Sequence, residues 1–160
     1  MDIYFIRSSL PTDRSWINSL MRDSFGEERV VVHGAIFTPA DLSGFIAEQA
    51  EERVGLITYN LDIENCEIVS LNSLVENRGI GSALIAAVRE KAIQSGCQRL
   101  WLVTTNDNLR ALGFYQKRGF RLADLRPAAV DEARKNKPSI PLFGANSIPI
   151  HDEIELEIQL

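Results

Sequence analysis

The segment Leu74-Val75-Glu76-Asn77-Arg78-Gly79-Ile80-Gly81-Ser82-Ala83-Leu84-Ile85 holds residues well suited to binding an anion. A strand-like run passes into a turn with two glycines, and a helical pattern starts at once. The first turn of a helix leaves backbone N–H groups without partners, and they carry a partial positive charge. Glycine at 79 and 81 lets a phosphate approach that backbone. Arg78 adds a formal charge and Ser82 a hydroxyl donor. The chemistry expected of Arg78, Gly79, Ile80, Gly81 and Ser82 is therefore that of a pyrophosphate site. A tight turn that packs a helix close to a sheet is the alternative reading of the same glycines. Two other phosphate motifs are excluded. A dinucleotide fingerprint requires a third glycine where Leu84 stands. A Walker loop requires Gly-Lys-Ser/Thr, which is absent.

A second informative segment is Asn106-Asp107-Asn108-Leu109-Arg110-Ala111-Leu112-Gly113-Phe114-Tyr115-Gln116-Lys117-Arg118-Gly119-Phe120. Together the two segments resemble the GNAT superfamily of N-acetyltransferases. The coenzyme-A loop of that family, Gln/Arg-x-x-Gly-x-Gly/Ala, falls on Glu76–Gly81. Its later helix, Asn-x-x-Ala-x-x-Phe/Leu-Tyr-x-x-x-Gly-Phe, matches Asn108, Ala111, Phe114, Tyr115, Gly119 and Phe120 in register. The resemblance spans roughly Ile3 to Leu125. It departs at Glu76, where a carboxylate stands in place of Gln or Arg and would mildly repel a pyrophosphate.

The resemblance implies an α/β fold with a mixed sheet. The sheet is mostly antiparallel, holds one parallel β-α-β pair and is flanked by helices, in a single N-acetyltransferase domain over 1–160. It implies acetyl-CoA as cosubstrate, no metal, and direct attack of an amine on the thioester in a ternary complex. The pantetheine arm would run along Leu74 and Val75 like an added strand. Asn108 would bond its amides and also cap a helix. Tyr115 is the candidate acid for the departing thiol, because a phenol near pKa ~10 is protonated at neutral pH. Its alternative is simple packing beside Phe114. Glu67 is the candidate base, with Glu64 a rival and an exposed strand-end carboxylate the plain alternative. A backbone N–H near Leu71 or Asn72 would stabilise the oxyanion. The acceptor would be a small-molecule or peptide amine, and the family allows a homodimer. A non-catalytic acyl-CoA-binding module, or an interaction domain without cofactor, are the competing functions.

The elements that must position these groups read as follows. Ile3–Arg7 is a strand, and Thr12 or Asp13 caps a helix to Phe25 that Gly26 ends. Val30–Val32 is a short strand in an ambiguous stretch. Gly44–Gln49, Val54–Asp62 and Glu67–Val75 form an antiparallel meander. Ile80, Leu84, Val88 and Ala92 recur at helical spacing between Gly79 and Ser95. Arg99–Thr105 follows as a strand parallel to Glu67–Val75. A helix over Asn108–Lys117, a strand over Phe120–Leu125, a helix over Ala128–Asn136 and a final half-exposed strand over Ile154–Leu160 complete the chain.

With 160 residues the chain has the length of one domain and enough surface to bury a core. A net charge of −5 argues against general nucleic-acid binding. No apolar run reaches membrane-span length. Met1–Arg7 lacks the pattern of a signal peptide, which points to the cytoplasm. Cys66 and Cys97 match no metal spacing and have no histidine partner, so free thiols are expected. His33 and His151 read as isolated loop residues. Asp152, Glu153 and Glu155 read as a solvated strand edge, and Trp16, Phe25 and Trp101 as core.

Overall fold

Among residues 3–160, which the computed structural model describes, seven strands hydrogen-bond into one sheet. Met1 and Asp2, with which the leader reading begins, lie outside the described residues. The chain runs through β1 (Phe5–Ser8), α1 (Arg14–Phe25), β2 (Val30–Val32), β3 (Ala35–Phe37), β4 (Ser43–Gln49), β5 (Glu52–Leu61) and β6 (Asn65–Ser73). It continues through α2 (Ile80–Gln94), β7 (Arg99–Thr105), α3 (Leu109–Gln116), β8 (Arg121–Arg126), α4 (Ala129–Ala133) and β9 (Glu153–Gln159). The sheet order is β1-β4-β5-β6-β7-β9-β8, and β2 with β3 forms a separate hairpin. Every pairing in the sheet is antiparallel except β6 with β7, which α2 connects as the expected β-α-β unit.

Successive strand residues face opposite sides of a sheet, and β5 shows the consequence. Ile57 and Tyr59 belong to the core under α2, with Leu84, Val88 and Leu100. Leu56 belongs to the opposite core under α1, with Ile17, Leu20, Met21 and Ile46. The helical repeat of Ile80, Leu84, Val88 and Ala92 is buried throughout, as its period requires.

Asp13 does not cap α1 with its side chain. Its fully buried carboxylate accepts instead from Arg7 (2.8 Å), Arg53 (2.8 Å) and the Leu10 backbone N–H (2.7 Å). Gly26 ends α1 with φ 81, the left-handed stop expected of it.

The C-terminal strand differs most from its expected setting. β9 lies between β7 and β8 and is not a solvated edge. Glu153 and Glu155 are buried, Leu156 is fully so, and Glu155 pairs with Arg99 and Arg126. Glu155 is therefore closed off by arginines rather than water.

Candidate active site

The site begins where β6 and β7 part. Their parallel pairing covers only Asn65–Ile68 against Arg99–Leu102. Beyond it β7 continues to pair with β9, while the β7-facing side of Val69–Ser73 is left without a strand. On the other side of β6, Ser70 pairs with Thr58 and Ile68 with Tyr59, so Val69 is an extra, bulged residue. A bulge bends and twists its strand, and this one sits at the point of divergence.

One mouth of the split is a cleft of about 370 Å³. Its floor is Leu71, Ser73 and Val75, and its walls are the start of α2 and one face of α3. Gly79 stands at the N-cap with φ 74, a conformation that favours glycine. The first bond of α2 runs from the Ala83 N–H to the Gly79 carbonyl (3.0 Å), so the amides of Ile80, Gly81 and Ser82 have no partner within the helix. Gly81 serves packing as well. A Cβ there would meet Phe114 Cζ at 3.0 Å, so α3 lies close because residue 81 has no side chain. The packing interpretation of Gly81 therefore holds.

Of the residues expected at this mouth, all except Leu74 line the cleft: Val75, Arg78, Gly79, Ile80, Gly81, Ser82, Asn108 and Tyr115. The Leu74 side chain is exposed, and its N–H is given to the Val54 carbonyl (2.8 Å). Asn108 caps α3 by accepting from the Ala111 N–H (3.1 Å). Two arginines were not foreseen from the sequence. Arg110 pairs with Glu76 (2.8 Å), which offsets the charge that departs from the family pattern. Arg118 donates to the Ser82 hydroxyl (2.8 Å) and lies over the Phe114 ring (3.5 Å). The four-residue spacing of Arg110, Phe114 and Arg118, of which the first two lie in α3 and the third just past its end, is the available signal.

Tyr115 is buried, packed edge-on against Phe114 and Phe120, and borders the cleft. Burial pushes its phenol well above the usual range, so it keeps its proton at neutral pH. Cys66 and Cys97 are free and buried; burial pushes the Cys66 thiol up to about 12, which makes it a poor nucleophile.

The other mouth is a cavity of about 450 Å³, and Asn108 lines it as well as the cleft. Glu67 enters this cavity and is only 5% exposed, so it is not a solvent-facing strand end. Its Oε1 lies 2.6 Å from His33 Nε2, which donates to it. His33 is thus no isolated loop residue. It occupies the two-residue turn between β2 and β3 with φ 42, and Gly34 follows with φ 78. Its backbone N–H donates to both oxygens of Glu153 (3.1 and 3.0 Å), and its ring packs on Trp101 (5.1 Å). The Glu67 carboxylate holds the His33 proton on to higher pH than usual, against the opposing effect of burial. Phe25, expected in the core, is partly exposed and lines this cavity, and Trp101 is only half-buried. His151 is paired with Asp131 (3.0 Å), away from both mouths. Among the described residues no cluster of three or more His, Cys, Asp or Glu side chains could hold a metal, and no helix is long and apolar enough to cross a membrane.

The sequence profile of the Acetyltransferase (GNAT) family matches residues 11–120. The chain belongs to that family. Its sheet, with one splayed parallel pair, is the GNAT fold, and membership makes it an acetyltransferase. It is 47% identical over 131 residues to the uncharacterized protein YdhI of Bacillus subtilis, covering 81% of this chain and 82% of that one. It is 41% identical over 145 residues to the uncharacterized protein YxbD of the same organism, covering 90% and 91%. A GNAT family acetyltransferase from Elizabethkingia anophelis, solved with acetyl-CoA bound, superposes over 100% of both chains with a TM-score of 0.70 at 23% identity.

Proposed function

We propose that this GNAT chain works as one catalytic domain that transfers the acetyl group of acetyl-CoA to a primary amine by direct attack. The observation that carries the reading is the pair of openings at the β6–β7 split. One is lined by free helix amides and arginines and the other by a carboxylate–imidazole pair, with Asn108 common to both. Bound acetyl-CoA would supply an acetyl group activated as a thioester.

The residues fit that cosubstrate. The amides of Ile80, Gly81 and Ser82, together with Arg78 and Arg118, would hold a diphosphate. The β7-facing edge of β6 and Val75 would receive the pantetheine arm, with Asn108 bonding its amides. An amine must lose a proton to attack, and Glu67 with His33 is the base. The part of β6 beyond its pairing with β7, near Leu71 or Asn72, offers a backbone N–H to a developing oxyanion. Tyr115 gives the departing sulfur a proton. A raised phenol is a weaker acid, but a thiolate in the same buried cleft is also harder to stabilise, so the match between donor and acceptor persists.

The test is thiol release from acetyl-CoA against a panel of amines, read beside calorimetric binding of coenzyme A. Binding with amine-dependent release is expected. Binding without release from any amine would leave a non-catalytic acyl-CoA module, and no binding would remove the reading entirely. Replacing Tyr115 by Phe is expected to lower kcat roughly 100-fold and to leave cofactor affinity nearly intact.

A further inference from the structure

The cavity on the Glu67 side is mainly apolar, with walls that include Phe25, Val30, Val32, Val103, Ile140 and Ile150. Its volume of about 450 Å³ suits a small molecule. Three ionisable side chains reach its lining: Glu67, Glu153 and Lys137. The two carboxylates are both engaged by His33, one through the ring and one through the backbone N–H. Lys137 has no such partner. It is 5% exposed, and its Nζ donates to the Arg29 backbone carbonyl at 3.1 Å. No carboxylate among the described residues lies within ion-pairing distance of it. Glu27 acts on it only from further off and is itself paired with Arg29 (3.1 Å). Burial pushes the Lys137 ammonium below its ordinary range.

An ammonium has three donors, and a backbone carbonyl takes one of them. A buried charge without a counter-ion is costly, and it persists where a ligand brings the opposite charge. Glu67 and Glu153 would repel an anion, so an anionic group would settle at the lysine and leave the amine at the Glu67–His33 pair. We propose that the acceptor is an apolar amino acid or aminoalkanoate whose carboxylate pairs with Lys137 while its hydrocarbon part fills the cavity. This rests on reading the site as one that acetylates amines.

The experiment uses matched pairs that differ only by the carboxylate: L-leucine with isopentylamine, L-phenylalanine with 2-phenylethylamine, and 6-aminohexanoate with pentylamine. Each is titrated calorimetrically and assayed for thiol release with acetyl-CoA. In at least one pair the carboxylate-bearing member is expected to show a Kd and KM lower by about 10- to 100-fold, the range of a hydrogen bond to a charged group. Lys137→Met and Lys137→Gln should erase that preference, measured as the ratio of the two members of each pair within one variant, while Lys137→Arg restores part of it. Equal or better binding of the bare amine in all three wild-type pairs overturns the proposal, and so does a preference that survives loss of the lysine charge. Absence of thiol release with every amine counts against the acetylation reading alone, because calorimetry still decides whether the carboxylate is recognised.

Discussion

His33 occupies a backbone conformation that costs an L residue about 1 kcal/mol. It is held there from two sides, by Glu153 at its N–H and by Glu67 at its ring. Strain of this kind persists where the surroundings over-determine it. The pair makes a pH prediction. Neutral imidazole can accept a proton and imidazolium cannot, so activity that needs His33 neutral rises with pH through its raised pKa. Glu67→Gln removes the charge that raises it. The acidic limb of the pH–rate profile should move to lower pH, and kcat should fall about 100-fold. An unmoved limb with an unchanged rate would exclude both residues from the proton transfer.

At the scale of elements, the start of α2 depends on one backbone conformation. Gly79 has φ 74 at the N-cap, and its carbonyl takes both the Ala83 N–H and the Tyr4 hydroxyl (3.3 Å). Gly79→Ala has room for its Cβ, with nothing nearer than the Tyr4 hydroxyl at 3.6 Å, so the cost is conformational. It should be about 1–2 kcal/mol, or a Tm lower by about 2–8 °C. Because the strain falls on the turn proposed to hold the diphosphate, coenzyme A affinity should weaken by about 3- to 10-fold in calorimetry. Affinity equal to wild type would mean that the turn geometry does not govern the phosphate contacts. Gly81→Ala probes a different link, since its Cβ presses on Phe114 and so on the spacing of α2 and α3.

Across the whole molecule, Asp13 ties the segment before α1 to two strands, through Arg7 of β1 and Arg53 of β5. Accepting from Arg7 is the largest of the effects that hold its carboxyl well below the usual carboxylate range. A carboxyl depressed by folding stabilises the native state fully above its unfolded pKa of ~3.9 and loses that contribution as pH falls below it. Both arginines are partly exposed, so Asp13→Asn should cost about 2 kcal/mol at neutral pH, less than a fully buried pair would. Tm would drop by about 4–8 °C, and the variant's stability should depend less on pH below ~4. Parallel wild-type and variant curves in acid-denaturation experiments would show that the carboxylate is not the source.

Most elements, and most of the residues that line the cleft, are legible in the order of residues alone. Apolar spacing and two glycine motifs are local signals, and the cleft is lined by runs of neighbouring residues, so the lining within 75–82 and 108–115 is legible without knowledge of packing. Tertiary structure alone decided the other mouth. Glu67 was visible, but its partner lies 34 residues away on a hairpin whose second strand, Ala35–Phe37, carries too few residues to show a period. Lys137 and Glu153 come from irregular chain and from a strand inserted between β7 and β8. Spacing along a chain reports only neighbours within an element. Which distant side chains share a cavity is set by sheet order, and here that order places the last strand of the chain beside the Glu67–His33 pair.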